Sequence, residues 1–270
     1  MALHRVWLIP LATFLFSISA FVVGYIIAVS LGHVNAIWPY ISDGGTEAPE
    51  SCIFGQLLNL AALFLAISIY LRHRQIVEYY WHHLQKDGQW RRASLGLLWC
   101  GYLAAFGMSM VANFQETNVI LGHYTGALMA FGFGLIYCWG QTVFSYVISP
   151  RLSHPIVSHV RLALCLAATI FFFTMIIFGP IMGKLPASYR GTGLNYWTPD
   201  TPHYIDHIIG TTSEWLMAIV FEVYILSFAI ELRNARCHAP KLQLTDMEDP
   251  LEQKAKISAS ATRITFLNEV

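Results

Sequence analysis

The sequence predicts an all-α polytopic membrane protein with six transmembrane helices in one bundle and both termini in the cytoplasm. Three observations carry this reading. The 270 residues are 56% hydrophobic and only 12% charged, too few charges to cover a soluble surface, so the bilayer must serve as solvent. Val6–Ser42, Ser51–Leu71, Ala93–Gln115, Thr117–Pro150 and Leu162–Gly183 contain no Asp, Glu, Lys or Arg, and a sixth apolar run lies near His207–Ile230. Each is long enough to cross ~30 Å of hydrocarbon at ~1.5 Å per residue. Of the 16 Lys and Arg residues, all but Lys184 and Arg190 fall on one side of a six-crossing path. Cationic loops stay cytoplasmic, so the segments around residues 32–50, 113–118 and 184–206 are expected to face the lumen or exterior.

Taken in order, the first helix runs from about Val6 to Leu31. It is too long for a signal-peptide core and lacks a small-residue cleavage site, so it reads as a retained span. The stretch Ser42–Ser51 carries Gly44, Gly45 and Pro49, the signals of a turn followed by a helix start, with Glu50 in the first turn of the second helix. That helix is expected to end at Arg72-His73-Arg74, followed by a loop whose Tyr79, Tyr80, Trp81 and Trp90 suit the headgroup layer. A short turn, residues 113–118, makes helices three and four antiparallel neighbours. Gly122 and Gly126 form a GxxxG pair on helix four. Helix five spans roughly Arg161–Met182, and a Pro- and Gly-rich loop leads to helix six. Domain organisation follows: residues 1–231 form the transmembrane domain and residues 232–270 a flexible, solvated cytoplasmic tail.

Several classes of function are disfavoured. A net charge of zero with sided basic residues fits anchoring against anionic lipid and argues against a nucleic-acid partner. Cys52 alone lies near the lumen, which leaves an intrachain luminal disulfide without a second thiol. There is no Ser-His-Asp spacing, phosphate loop, dinucleotide fingerprint or Cys metal motif, so no cofactor or enzyme activity is indicated.

The residues with chemical potential gather at one end. His207, Thr211 and Glu214 follow i, i+4, i+7 spacing and share a face of helix six, and His123 lies at similar depth on helix four. With Glu50 at the top of helix two and Asn113 and Gln115 at the top of helix three, they form a candidate ligand-binding cluster drawn from four helices. The same groups would serve equally to satisfy one another and fix helix register. A histidine beside a carboxylate there would titrate between neutral and mildly acidic pH. His203, Asp206 and His207 supply part of a zinc set only if His123 joins them, and without HExxH or clustered Cys no metal is expected. Glu222, near mid-membrane, is either a neutral acid hydrogen-bonded in the bundle or a functional group.

Four motifs in order, Tyr40-Ile41-Ser42-Asp43, Pro49-Glu50-Ser51-Cys52-Ile53-Phe54-Gly55, Val111-Ala112-Asn113-Phe114-Gln115 and Thr211-Thr212-Ser213-Glu214-Trp215, resemble the Frag/DRAM/Sfk family of six-span proteins, most of all its DRAM branch. The resemblance covers roughly residues 5–235. It implies a lysosomal or endosomal membrane protein that promotes autophagy and, in some members, cell death, acting as a non-enzymatic scaffold. Other branches act in plasma-membrane phosphoinositide control and in remodelling the lipid of GPI anchors, which implies the alternative of a lipid-binding or lipid-remodelling protein. Membrane lipids and protein partners engaged through the cytoplasmic loops and tail are expected. A lipid-sized cavity lined by His123, His207 and Glu214 would favour lipid handling; a filled, mutually bonded cluster would favour the scaffold.

Overall fold

The structure, a computed structural model, describes residues 2–3, 5–80, 88–149, 153–185 and 197–238. Trp81 of the aromatic loop, residues 186–196 of the loop before helix six and the tail after His238 lie outside the described residues. Six helices are long and apolar enough to cross a membrane: α1 (Leu8–Leu31), α2 (Glu50–Glu78), α3 (Gln89–Asn113), α4 (Ile120–Val147), α5 (Pro155–Ile181) and α6 (Tyr204–Leu232). Each packs against its neighbour in sequence, and α1 packs against α6, so the six close into a ring. The described residues from 5 to 236 form this unit; residues 2–3 and 237–238 belong to another, in which Ala2 pairs antiparallel with His238 and Leu3 with Cys237.

Three boundaries differ from expectation, each for a physical reason. α2 does not stop at Arg72–Arg74 but continues to Glu78, because Arg72 is buried and paired inside the bundle rather than solvated. α5 starts at Pro155 rather than near Arg161; Pro155 needs no amide partner in the first turn, and the His154 ring Nδ1 accepts the Ile156 N–H at 3.3 Å. α6 does not stop near Ile230 but runs to Leu232, because Glu231 is only 7% exposed and paired inside the bundle.

Close backbone approach fixes two places. On α4, Gly126 faces Gly107 of α3, where a Cβ on Gly107 would stand 2.6 Å from the Gly126 carbonyl oxygen. Gly122, the other half of the GxxxG pair, meets only the side chains of Phe114 and Val119. The turn Ser42–Gly45 lies on α1, and a Cβ on Gly24 would come within 2.6 Å of the Gly44 carbonyl oxygen. Small residues there let the α1–α2 connection fold over the end of the ring instead of standing off it.

Candidate functional site

The bundle has two polar ends. At the first, called the His33 end, the connections 32–49, 114–119 and 197–203 meet. Ser42 donates to Glu116 Oε2 at 3.1 Å, and the Asn35 amide donates to the Trp197 carbonyl at 2.7 Å. The cap is aromatic as well as polar, with Trp197 stacked on the His207 ring at 4.0 Å and Tyr40 edge-on to the same ring at 5.2 Å. Trp215 turns toward α1, edge-on to Phe21 and Tyr25, and donates its indole N–H to the Pro39 carbonyl at 2.9 Å.

All seven candidate residues sit at or near this end, but they do not form one hydrogen-bonded network among the described residues. Glu50 is fully buried, and its Oε1 lies 2.5 Å from His33 Nδ1, while Glu47 stands 3.7 Å from the other ring nitrogen. Asn113 is exposed; it exchanges amide hydrogen bonds with Asn59 of α2 at 3.0 and 3.1 Å and donates to the Ser109 carbonyl. Gln115 accepts from the Asn118 amide within its own turn. His123 Nδ1 is 2.8 Å from the Phe114 carbonyl oxygen, and its other nitrogen is 4.0 Å from Glu116. His207 is held by the two rings already named. Thr211 bonds back to the Ile208 carbonyl of its own helix. Glu214 accepts the Ile41 backbone N–H at 2.8 Å.

His203 pairs with Asp206 at 3.1 Å, so His203, His207 and His123 each have a separate partner, and no group of three His, Cys, Asp or Glu converges as a metal set among the described residues. Histidine–carboxylate pairs occur at His33–Glu50, His123–Glu116 and His203–Asp206, and His207 and Glu214 are not among them. Hydrogen bonding to Glu50 holds the His33 imidazolium, raising its pKa above the ordinary histidine value. Burial, then the Glu116 charge, pushes the Asp43 carboxyl up, although the Tyr40 N–H at 2.8 Å opposes this.

Two candidates do share a space. An elongated cavity of about 100 Å³ runs inside the ring, with His123, Glu214 and Ser42 at its His33 end and Phe54, Leu58 and Met108 among its apolar walls. His207 is not on its wall. From Glu214 to Ile225 it follows α6 for roughly 17 Å.

At the opposite, Glu231 end, one carboxylate holds two guanidinium groups. Arg72 of α2 reaches Glu231 at 2.5 Å, and Arg161 of α5 reaches both its oxygens at 2.9 and 3.2 Å. Gln141 and Ser145 of α4 complete the set, at 3.1 Å from Arg72 Nε and 2.6 Å from Arg161 Nη1. Both guanidinium groups also lie over the Phe228 ring, at 5.2 and 4.7 Å. Sequence reading counted Arg72 and Arg161 as loop cations; they are wholly buried and tie four helices together.

Residues 5–235 match the profile of the Frag1/DRAM/Sfk1/Cwh43P N-terminal domain. The chain belongs to this family. It is similar to the human DNA damage-regulated autophagy modulator protein 2, 34% identical over 227 residues that cover 82% of this chain and 81% of the relative. The human DNA damage-regulated autophagy modulator protein 1 is 32% identical over 231 residues, 84% of this chain and 90% of the relative. The modulator of macroautophagy TMEM150B-B of Xenopus laevis is 34% identical over 173 residues, 63% of this chain and 71% of the relative. These matches set the chain in the DRAM branch of the family. No solved structure matches. The family match spans the whole ring of helices, so both polar ends and the cavity belong to the shared domain.

Proposed function

We propose that this member of the DRAM branch is a modulator of autophagy that acts without catalysis, organising membrane machinery at a lysosomal or endosomal membrane. The carrying observation is similarity to named autophagy modulators over more than four-fifths of the chain, within a family match that spans all six helices. In this reading the Glu231 end and both termini face the cytoplasm, where loops and tail recruit protein partners, and the His33 end faces the lumen. The side-chain pairings at both ends support a scaffold, since they fix helix positions instead of leaving groups poised for chemistry. A contribution to cell death belongs to the same reading. Deleting the protein should lower autophagic flux, measured as turnover of the lipidated autophagosome marker with and without lysosomal inhibition. Re-expression should restore it, with the protein co-fractionating with lysosomal membranes. Unchanged flux on deletion would remove this reading.

A second reading, a lipid-holding membrane protein, is favoured by one observation: His123 and Glu214 stand on the wall of the elongated apolar cavity. Co-purification of a stoichiometric amphiphile with the protein would support it.

A further inference from the structure

The cavity contains polar atoms that neither polar end uses. Glu222 of α6 is 4% exposed and lines the cavity about 12 Å along the helix from Glu214. Its Oε2 has no partner at hydrogen-bond distance among the described residues; the hydroxyl of Ser17 of α1, itself without one, is the polar group beside the carboxyl. Tyr137 of α4, 2% exposed, lines the same cavity, and its hydroxyl is likewise without a partner among the described residues. Two carboxyl groups thus stand on the wall of a largely apolar space beside His123, Ser42 and Tyr137, and no Lys or Arg among the described residues lines it. Arg72 and Arg161, which pair with Glu231, are not on its wall. Intramembrane carboxyl groups face partners or function, and here the fold supplies Glu214 with the Ile41 amide but leaves Glu222 Oε2 open.

We infer that the cavity binds a hydrophobic amine, with its ammonium group on Glu222 and its apolar body between α2, α3, α4 and α6. This rests on the lipid-holding reading and narrows it to one headgroup charge. An ammonium group supplies both the donor that Glu222 Oε2 lacks and the opposite charge that the wall lacks. A fatty acid or an anionic phospholipid would set like charge against like. A long-chain alcohol would serve Tyr137 but leave the carboxyl uncompensated. Leu58, Leu65, Met108 and Phe131 give the apolar body its contacts.

The test uses the full-length protein in neutral lipid nanodiscs and three photoactivatable probes that share one long alkyl tail and end in an amine, an alcohol or a carboxylic acid. The amine should label the cavity helices most strongly and be displaced by excess untagged amine. Glu222→Gln, close in shape, should lower amine labelling by about tenfold, the size of losing one charged hydrogen bond, and leave alcohol labelling unchanged. Equal labelling by all three probes would overturn the amine inference while leaving the lipid-holding reading in place. No labelling by any probe would leave the cavity to water and overturn both. Undiminished amine labelling in a folded Glu222→Gln protein would overturn the assignment to Glu222. The three-probe comparison on the parent chain decides the headgroup class even if that variant does not fold.

Discussion

The two polar ends of the bundle are held in opposite ways. At the Glu231 end, helix side chains bind helix side chains: Arg72, Arg161, Gln141 and Ser145 converge around one carboxylate, all wholly or almost wholly buried. At the His33 end, helix side chains mostly hold the backbone of the connections, as Glu214 does Ile41, Trp215 does Pro39 and His123 does Phe114. A buried charge pair between helices fixes their spacing, because removing one partner strands a charge. A side chain bonded to a loop fixes the loop and leaves the helices free to shift. The first end is a lock and the second a cap.

The comparison fails most visibly if Glu231 can be removed cheaply. Glu231→Gln strands two like charges inside the ring and should cost about 3–5 kcal/mol, read as a large drop in unfolding temperature in detergent. Arg72→Gln should cost less, because Arg161 and Glu231 then remain as a balanced pair. A Glu231→Gln protein as stable as its parent would end the idea of a lock.

Smaller effects are expected at the cap. Glu214→Ala leaves the Ile41 N–H without its acceptor and should cost about 1–3 kcal/mol, with faster hydrogen exchange confined to residues 39–46. Glu214→Gln, which keeps an acceptor oxygen, should recover most of the loss. Exchange that instead rises through α6 would show that Glu214 holds helices, not the loop. Trp215→Phe removes only the indole N–H to the Pro39 carbonyl and should cost about 1 kcal/mol, checked by the same two measurements.

The smallest expected effect is on pH dependence. His33 has a raised folded pKa because of Glu50, so its contribution is fully present below the unfolded value of 6.5 and is lost as pH rises through the folded value. Thermal stability of the parent should therefore decline across that window, and His33→Gln should flatten that part of the curve. A slope unchanged by the substitution would assign it to another group.

The six helices were legible because a charge-free run longer than about 20 residues admits few other structures in a bilayer. The errors came where charge was taken as punctuation. Arg72 looked like the end of a span, yet its partner Glu231 lies 159 residues away, beyond any local pattern. In the candidate site, i, i+4, i+7 spacing identified a buried face, and His207, Thr211 and Glu214 are all buried. It gave no view of their partners, which are aromatic rings, a helix carbonyl and a loop amide. Asn59 went unused, although an amide within an apolar helix is itself a signal; it is what Asn113 pairs with. Asp43 and Ser42 stood in a recognised motif, but their neighbour Glu116, in a six-residue turn, had nothing to set it apart from a solvated acid.

The arrangement around Glu231 also bears on how the protein is made. Arg72 and Arg161 belong to the second and fifth helices, whereas the carboxylate they share is almost the last residue of the sixth. During synthesis both cations therefore enter the membrane before their counter-charge exists, and must wait at the bilayer edge until the final span arrives. Assembly of the bundle is thus tied to synthesis of the sixth helix. A nascent chain cut short before residue 231 would carry two guanidinium groups without the carboxylate that pairs them, a costly state inside a membrane.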